Sequence, residues 1–431
     1  VIPGPVQNAP IVLHKFSLQL LFLWLGLGVS HATNPVLKVG VARADITPLS
    51  GIETMIGMGG RVSAEYEIND PLMAKVVMLE TEEKQVVVVS LDLIWTETEF
   101  MSDIRENIRT ATGADNVICA LTHTHGSGRP GEDYYERTLP LIVAAAQQAQ
   151  QNLEPAEGAY GQRELQEGYN RRAVQTDGTV DMLWNNRDRL PTAPTDDEVG
   201  VLTFTAQADE RVIATLVNYS VHPVISMNFD QLIVSADYPG VMAREVEAQL
   251  GGICVFFLGA AGDINPFDAD MFRYATAPET FAQVELVGHV LAQKVLEASR
   301  SPQFSVGQPT LSFEKNLVPL GERTTGRGST TTRGVEVDTL VIGTNFALAT
   351  IPGEPFVELG TDLKSRSPLA ATWVVANAND YVGYLPTIQA TTEGGYGATS
   401  GTQLEVGAGE KLIHAAVVSL HHQAGLVKPL E

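Results

Sequence analysis

The sequence Thr122-His123-Thr124-His125-Gly126-Ser127-Gly128 follows a strand-like run ending at Leu121, and His222-Pro223 follows another, 211–220. Residues two apart on extended chain point to one side, so His123 and His125 can face a single cavity. Neutral imidazole at a strand end serves as a first-row metal ligand or a proton shuttle. Taken singly, each reads more simply as a hydrogen-bonded surface residue. His289, His414, His421 and His422 fall on helix-like stretches, where helical spacing accounts for them.

Three further stretches have the composition of a site. Gly259-Ala260-Ala261-Gly262-Asp263-Ile264-Asn265-Pro266 follows a strand, and its small residues permit close backbone approach. Asp263 there could orient a ligating histidine or simply cap its own turn. Ile351-Pro352-Gly353-Glu354-Pro355 lies between a strand and a helix, so Glu354 would stand near the helix N-terminus, where free N–H groups and the macrodipole stabilise a carboxylate, or serve as a plain helix cap. Asn379-Asp380-Tyr381-Val382-Gly383-Tyr384-Leu385-Pro386, followed by Glu393-Gly394-Gly395-Tyr396, has the make-up of a binding loop or an aromatic-pinned surface loop. No Gly-x-Ser-x-Gly elbow occurs, which argues against a serine hydrolase.

Strand-like runs must position these groups: 37–42, 74–80, 85–93, 116–121, 200–204, 211–220, 253–259, 340–350 and 372–377, rich in Val, Ile and Thr. Helix-like stretches lie near 97–110, 137–151, 238–250, 278–299, 355–366 and 409–423. Strands and helices alternate, but several strands follow one another directly. The expectation is a mixed α/β architecture whose core is a large mixed β-sheet, in one sheet or two packed sheets, flanked by helices. One compact domain is expected over 36–427, with mobile loops at 320–335 and 181–198.

The chain has 431 residues, 44% apolar, with 28 Lys+Arg against 51 Asp+Glu and a formal net charge of −23. Such a surface repels phosphate backbones and anionic headgroups, so nucleic acid is not an expected partner. Cys119 and Cys254 are too few for a disulfide framework or a cysteine zinc site, and both read as buried thiols unless their strands are neighbours. Lys15, the apolar run Leu20 to Val29 and Ser30-His31-Ala32 read as a signal peptide over 1–32. Residues 1–14 lack an initiator Met and read as upstream of the true start. Ten apolar residues rise only about 15 Å as a helix, short of the roughly 30 Å of a bilayer core. A secreted or periplasmic protein with no stable membrane span is expected.

In order, GVARADITP (40–48), NDPLMAKVVMLE (69–80), THTHGSG (122–128), GYNRR (168–172), YSVHPVISM (219–227), SADYPG (235–240), GAAGDINP (259–266), PGE (352–354) and YVGYLPT (381–387) resemble the neutral ceramidase family. These are secreted zinc amidases that split ceramide into sphingosine and fatty acid. The resemblance spans roughly 38–424. It implies a Zn²⁺ ion held by His123, His222, Glu354 and Tyr384, with His125, Arg171 and Tyr396 as supporting catalytic residues. It further implies attack of zinc-activated water on an N-acyl amide of a small or amphipathic substrate. Where the family carries Gly-Asp-Val-Ser-Pro-Asn, this chain has Asn265 in place of the serine, which excludes a serine nucleophile there and leaves Asn265 as a hydrogen-bonding catalytic-site residue. The stretch after THTH also differs, reading Gly126-Ser127-Gly128-Arg129-Pro130 where the family reads Ser-Gly-Pro. The family's further β-sandwich domain would follow the 409–423 stretch, and the sequence reaches Glu431. Zinc esterase or lactonase activity, a different divalent metal, or a non-catalytic binding protein are the alternatives on the same scaffold.

Overall fold

The computed structural model describes residues 1–4, 35–229, 231–267, 269, 277–323 and 331–427. The chain divides into two compact units, Val1–Asn34 and Pro35–Glu431. The expected signal peptide falls almost wholly outside the described residues. Among those described, no helix is long and apolar enough to cross a membrane.

The apolar runs form a nine-stranded sheet in the order Ile253–Leu258, Val212–Tyr219, Glu198–Ala206, Glu154–Glu164, Lys38–Asp45, Met73–Glu80, Gln85–Leu91, Asn116–Leu121, with Phe304–Ser305 pairing beside Glu154–Glu164. Its pairings are antiparallel except Gln85–Leu91 with Asn116–Leu121 and Val212–Tyr219 with Ile253–Leu258, which are parallel. A second sheet runs Leu311–Gly321, Thr332–Ile342, Phe346–Thr350, Ala371–Val375, its last pair parallel.

Alternation of side chains on extended chain sorts these strands into layers. Val77, Val88, Ile118, Leu216 and Phe257 point from the large sheet into a core shared with Leu340, Phe346, Leu348 and Trp373 of the second. On the opposite face Val87, Val89, Val117 and Cys119 pack under the helices Thr98–Thr112 and Glu132–Gln151. Val217, Cys254, Phe256 and Leu258 do the same under Asp237–Leu250 and Ala277–Arg300. The second sheet's outer face meets Val357–Arg366 and Ala408–Gln423. The result is helices, sheet, sheet, helices. Burial of both faces is why the strands read as unbroken apolar runs such as Val86 to Val89.

The large sheet curls until strands far apart in its order meet. Ser90 Oγ donates to Phe256 O at 2.7 Å, and Lys75 Nζ to Cys254 O at 2.7 Å. The segment 376–379 runs between the carboxyl ends of Ile253–Leu258 and Asn116–Leu121: Ala376 N donates to Leu258 O at 2.9 Å, Asn379 N to Cys119 O at 2.7 Å, and Leu121 N to Asn377 O at 3.1 Å. Asn377 and Asn379 take positive φ of 50° and 68° to make that passage.

The expectation of buried free thiols holds, while the extents of one loop and one strand change. Cys119 and Cys254 are both free and buried, on strands that do not pair with each other. The ends of the expected loop 320–335 belong to the hairpin Leu311–Gly321/Thr332–Ile342, and 324–330 lie outside the described residues. The run 340–350 is two strands, turned at Gly343, whose φ is 68°.

Candidate metal centre

Three strands that take part in parallel pairs, Asn116–Leu121, Val212–Tyr219 and Phe346–Thr350, are each followed by one of the candidate side chains. Outside the carboxyl ends of parallel strands, where topology switches, is where ligands bind in α/β sheets. His123 follows Asn116–Leu121 in a left-handed conformation, φ 65°, with Thr122 N and His123 N donating to Leu91 O and Leu93 O at 2.9 and 3.0 Å. His222 follows Val212–Tyr219, its N–H on Ile264 O at 3.2 Å. Glu354 follows Phe346–Thr350, its N–H on Gly383 O at 3.0 Å.

The imidazoles are oriented by backbone. His123 Nδ1 lies 2.6 Å from Ile94 O, and His222 Nδ1 lies 2.5 Å from Ala261 O. A carbonyl can only accept, so Nδ1 carries the proton in both rings and Nε2 keeps its lone pair. Those two Nε2 atoms face one oxygen: Glu354 Oε2 is 3.1 Å from His222 Nε2 and 3.4 Å from His123 Nε2. All three side chains are buried, between 0 and 3% exposed.

Lone pairs converging on a carboxylate, away from water, require positive charge between them. Burial pushes the His222 imidazole below its ordinary range. Burial also works against the charge on Glu354, yet the facing imidazoles of His123 and His222, when protonated on Nε2, hold that carboxyl well below the usual carboxylate range. A proton or a cation satisfies this arrangement. Four ligands at about 2.0–2.1 Å in a tetrahedron stand about 3.3 Å apart, the spacing seen here. Two imidazoles and a carboxylate are a donor set that suits zinc. The residues fit a divalent metal.

His125 completes a buried group in which its ligand atoms and those of His123 and His222 all lie within 4.8 Å of one another. Its Nδ1 faces Met227 Sδ at 3.3 Å, and its Nε2 has no hydrogen-bond partner among the described residues. Burial first, then the other two imidazoles, lowers its pKa well below the usual value, so this ring is neutral.

A second cluster abuts the first where Glu354 and Tyr384 are paired residues of a short parallel ladder. Arg171, 2% exposed, donates from Nη2 to Tyr384 Oη at 3.2 Å and to Gly262 O at 2.7 Å, and from Nη1 to Asn265 Oδ1 at 3.1 Å. Its guanidinium lies 5.4 Å from the Tyr396 ring, 5.6 Å from Tyr384 and 5.7 Å from Trp184. Burial and the Glu354 charge push the Tyr384 phenol well above its ordinary range. Tyr396, 40% exposed, stands at the rim.

The eight residues singled out in the sequence are thus brought to one region as two joined groups: His123, His125, His222 and Glu354, then Arg171, Tyr384, Tyr396 and Asn265. Asn265 is fully buried and its carbonyl faces Arg171. Asp263, considered as an orienter of histidine, is not one. Its carboxylate accepts from Asn170 Nδ2 at 2.7 Å and Val357 N at 2.8 Å, while carbonyls of its own loop hold His222. Nor does Glu354 cap the helix that follows, whose cap residue is Phe356. Sequence reasoning gave no role to Tyr381, whose hydroxyl donates to Glu354 Oε1 at 2.5 Å, or to Trp184 against Tyr396. Tyr381 lay inside a stretch already noted, whereas the carbonyls of Ile94 and Ala261 carry no side-chain signature.

A family model for the N-terminal part of neutral/alkaline non-lysosomal ceramidases matches residues 37–255, half of the chain, and the protein belongs to that family. Among solved structures, it is similar to a neutral ceramidase from Pseudomonas aeruginosa, with a TM-score of 0.73 at 17% identity, covering 93% of this chain and 76% of that one. A ceramidase complexed with C2 aligns equally, TM-score 0.73 and 17% identity, over 92% and 77%. No curated protein matches. The mixed, helix-flanked sheet architecture is the ceramidase fold.

Proposed function

We propose that this chain is a metal-dependent hydrolase that cleaves an N-acyl amide, with Zn²⁺ as its metal and an amphipathic molecule as its substrate. The observation that carries the reading is the single oxygen of Glu354 set between two imidazole lone pairs. His123, His222 and Glu354 hold the ion, with Tyr384 as the fourth ligand beside Glu354. When bound, a divalent metal polarises a carbonyl and acidifies water to near neutral pH.

The chain's own groups supply the rest. Arg171, fixed by Gly262 and Asn265, and Tyr396 at the rim donate hydrogen bonds to the carbonyl oxygen as negative charge grows there. His125, kept neutral by burial, takes up a proton at its free Nε2 and returns it to the leaving nitrogen. In the balance the C–N bond breaks, the acyl carbon keeps the hydroxyl of water and the amine leaves with its proton. Asn265 acts by positioning Arg171, since an amide is no nucleophile. Tyr396 and Trp184 form an aromatic rim suited to an apolar chain. Export, with removal of residues 1–32, is part of this reading and rests on the apolar run and small-residue site alone.

The test is a panel of short- and long-chain N-acyl amides and matched esters, assayed with the metal-loaded chain before and after chelation. Amide turnover lost on chelation and restored by zinc is expected. Turnover of esters alone would move the activity to an esterase on the same site, and inhibition by a fluorophosphonate but not by a chelator would overturn the metal reading.

A further inference from the structure

The carboxylate of Glu354 has two oxygens, and only one faces the histidines. The other, Oε1, is taken by the Tyr381 hydroxyl at 2.5 Å. A carboxylate held in this way offers a cation one oxygen rather than a chelating pair.

Tyr381 is itself fixed from several sides. Its ring stacks on Trp95, centroids 6.1 Å apart and planes 18° from parallel, and the Arg129 guanidinium lies 4.8 Å from the centroid of the same indole. Its backbone N–H donates to Asp380 Oδ1 at 2.7 Å. Asp380 in turn accepts from Thr98 Oγ1 at 2.6 Å and pairs with Arg333. Three residues on, Tyr384 hydrogen-bonds Arg171. The turn between the two tyrosines passes through Gly383, φ 75°, whose carbonyl receives Glu354 N–H. A Cβ there would stand 2.2 Å from Gly401 O, so the turn admits only glycine. One short loop therefore carries both phenols, one bound to Glu354 and the other to Arg171.

We infer that Tyr381 is a positioning residue that fixes Glu354 in a single-oxygen orientation toward the ion, with Trp95 and Arg129 as the stack that holds it. This rests on Glu354 being a metal ligand. Partners that orient a ligand in this way are worth about 10–100-fold in metal affinity.

The experiment uses Co²⁺ as a visible probe on the full chain, with affinity measured by competition against a chelator. Tyr381→Phe keeps the ring on Trp95 and removes only the hydroxyl. The expected result is a 10–100-fold weaker Co²⁺ affinity, an altered visible spectrum as Oε1 becomes free to bind, and a thermal midpoint of the metal-free chain matching the unsubstituted one. In a Glu354→Gln background the same change should cost nothing further. Unchanged affinity and spectrum, or an equal loss in the Glu354→Gln background, would overturn the role of Tyr381 while leaving the metal site standing. An unsubstituted chain that takes up neither Co²⁺ nor Zn²⁺ would overturn both.

Discussion

Gly262 packs directly against the backbone of Glu354, and replacing it with alanine tests the geometry directly. A Cβ at this position would stand 2.5 Å from Glu354 O, 2.9 Å from Pro355 O and 3.1 Å from Glu354 C. Ordinary contact begins at 3.4 Å, so the strand bearing Glu354 must retreat by up to about 0.9 Å, and the neighbour is backbone rather than a side chain that can swing away. Gly262 cannot move instead, because its N–H donates to Pro355 O at 2.9 Å and its carbonyl holds Arg171 at 2.7 Å. Overpacking of this kind costs about 1–3 kcal/mol. With unfolding entropy near 2.1 cal/mol/K per residue, or about 0.8 kcal/mol/K for this domain, the thermal midpoint should fall by about 1–4 °C. Metal ligands tolerate displacements of only about 0.2 Å, so Zn²⁺ affinity should fall at least about tenfold. The assay is chelator competition for Zn²⁺ with parallel thermal scans of the metal-free chain. Gly334→Ala is the control, since its Cβ would meet only the Leu317 side chain at 3.8 Å. Unchanged Zn²⁺ affinity in Gly262→Ala, or the same loss in the control, would refute the argument.

Other outcomes follow from the same structure. Burial, opposed by Lys75, pushes the Asp92 carboxyl up to about 6 from 3.8, so the folded chain holds a proton that the unfolded chain has released. Its stabilising contribution is complete below pH 3.8 and is lost as pH rises to about 6, on the order of 3 kcal/mol; Asp92→Asn should flatten that slope in denaturation curves taken from pH 4 to 7, and an unaltered slope would count against it. Trp373, fully buried with its ring 4.7 Å from Phe346, should cost about 3–5 kcal/mol when cut to alanine, read from the urea midpoint. Cys119 and Cys254, both fully buried with thiols pushed up to about 12, should resist a disulfide reagent until denaturant is added; prompt labelling of the native chain would contradict the packing. Free Zn²⁺ at a thousand times its dissociation constant should raise folding stability by about 4 kcal/mol over the chelated chain, seen as a higher thermal midpoint.

The parts of this molecule that sequence made legible are those where side-chain type carries the information. The apolar runs of the central strands and the stripe of the Ala277–Arg300 helix announce themselves by period, and the histidines and Glu354 by chemistry and order along the chain. Glu154–Glu164 escaped notice because Pro155, Gly158 and Gly161 disguise a strand. Those glycines answer to packing: a Cβ on Gly161 would stand 2.5 Å from Ala298 O, and one on Gly158 would stand 2.9 Å from the Phe204 ring. Leu311–Gly321 was hidden by half-exposed alternation in a polar stretch. Asp263 looked like a histidine partner, but the partners proved to be carbonyls, which every residue possesses. Residue type alone does not tell Tyr381 from Tyr384; the family resemblance singled out Tyr384, and only the turn at Gly383 shows that Tyr381 also reaches Glu354.

The passage of residues 376–379 between the two distant strand ends has a consequence for how the protein matures. His123 and His222 are translated well before Glu354, and the span 376–379 that joins the ends of Ile253–Leu258 and Asn116–Leu121 comes later still. A nascent chain emerging from the ribosome therefore has imidazoles with no carboxylate to meet and a curled sheet with its seam open. A cation held by these residues would find its ligands together only in the finished fold, so a chain halted before residue 376 is expected to bind none.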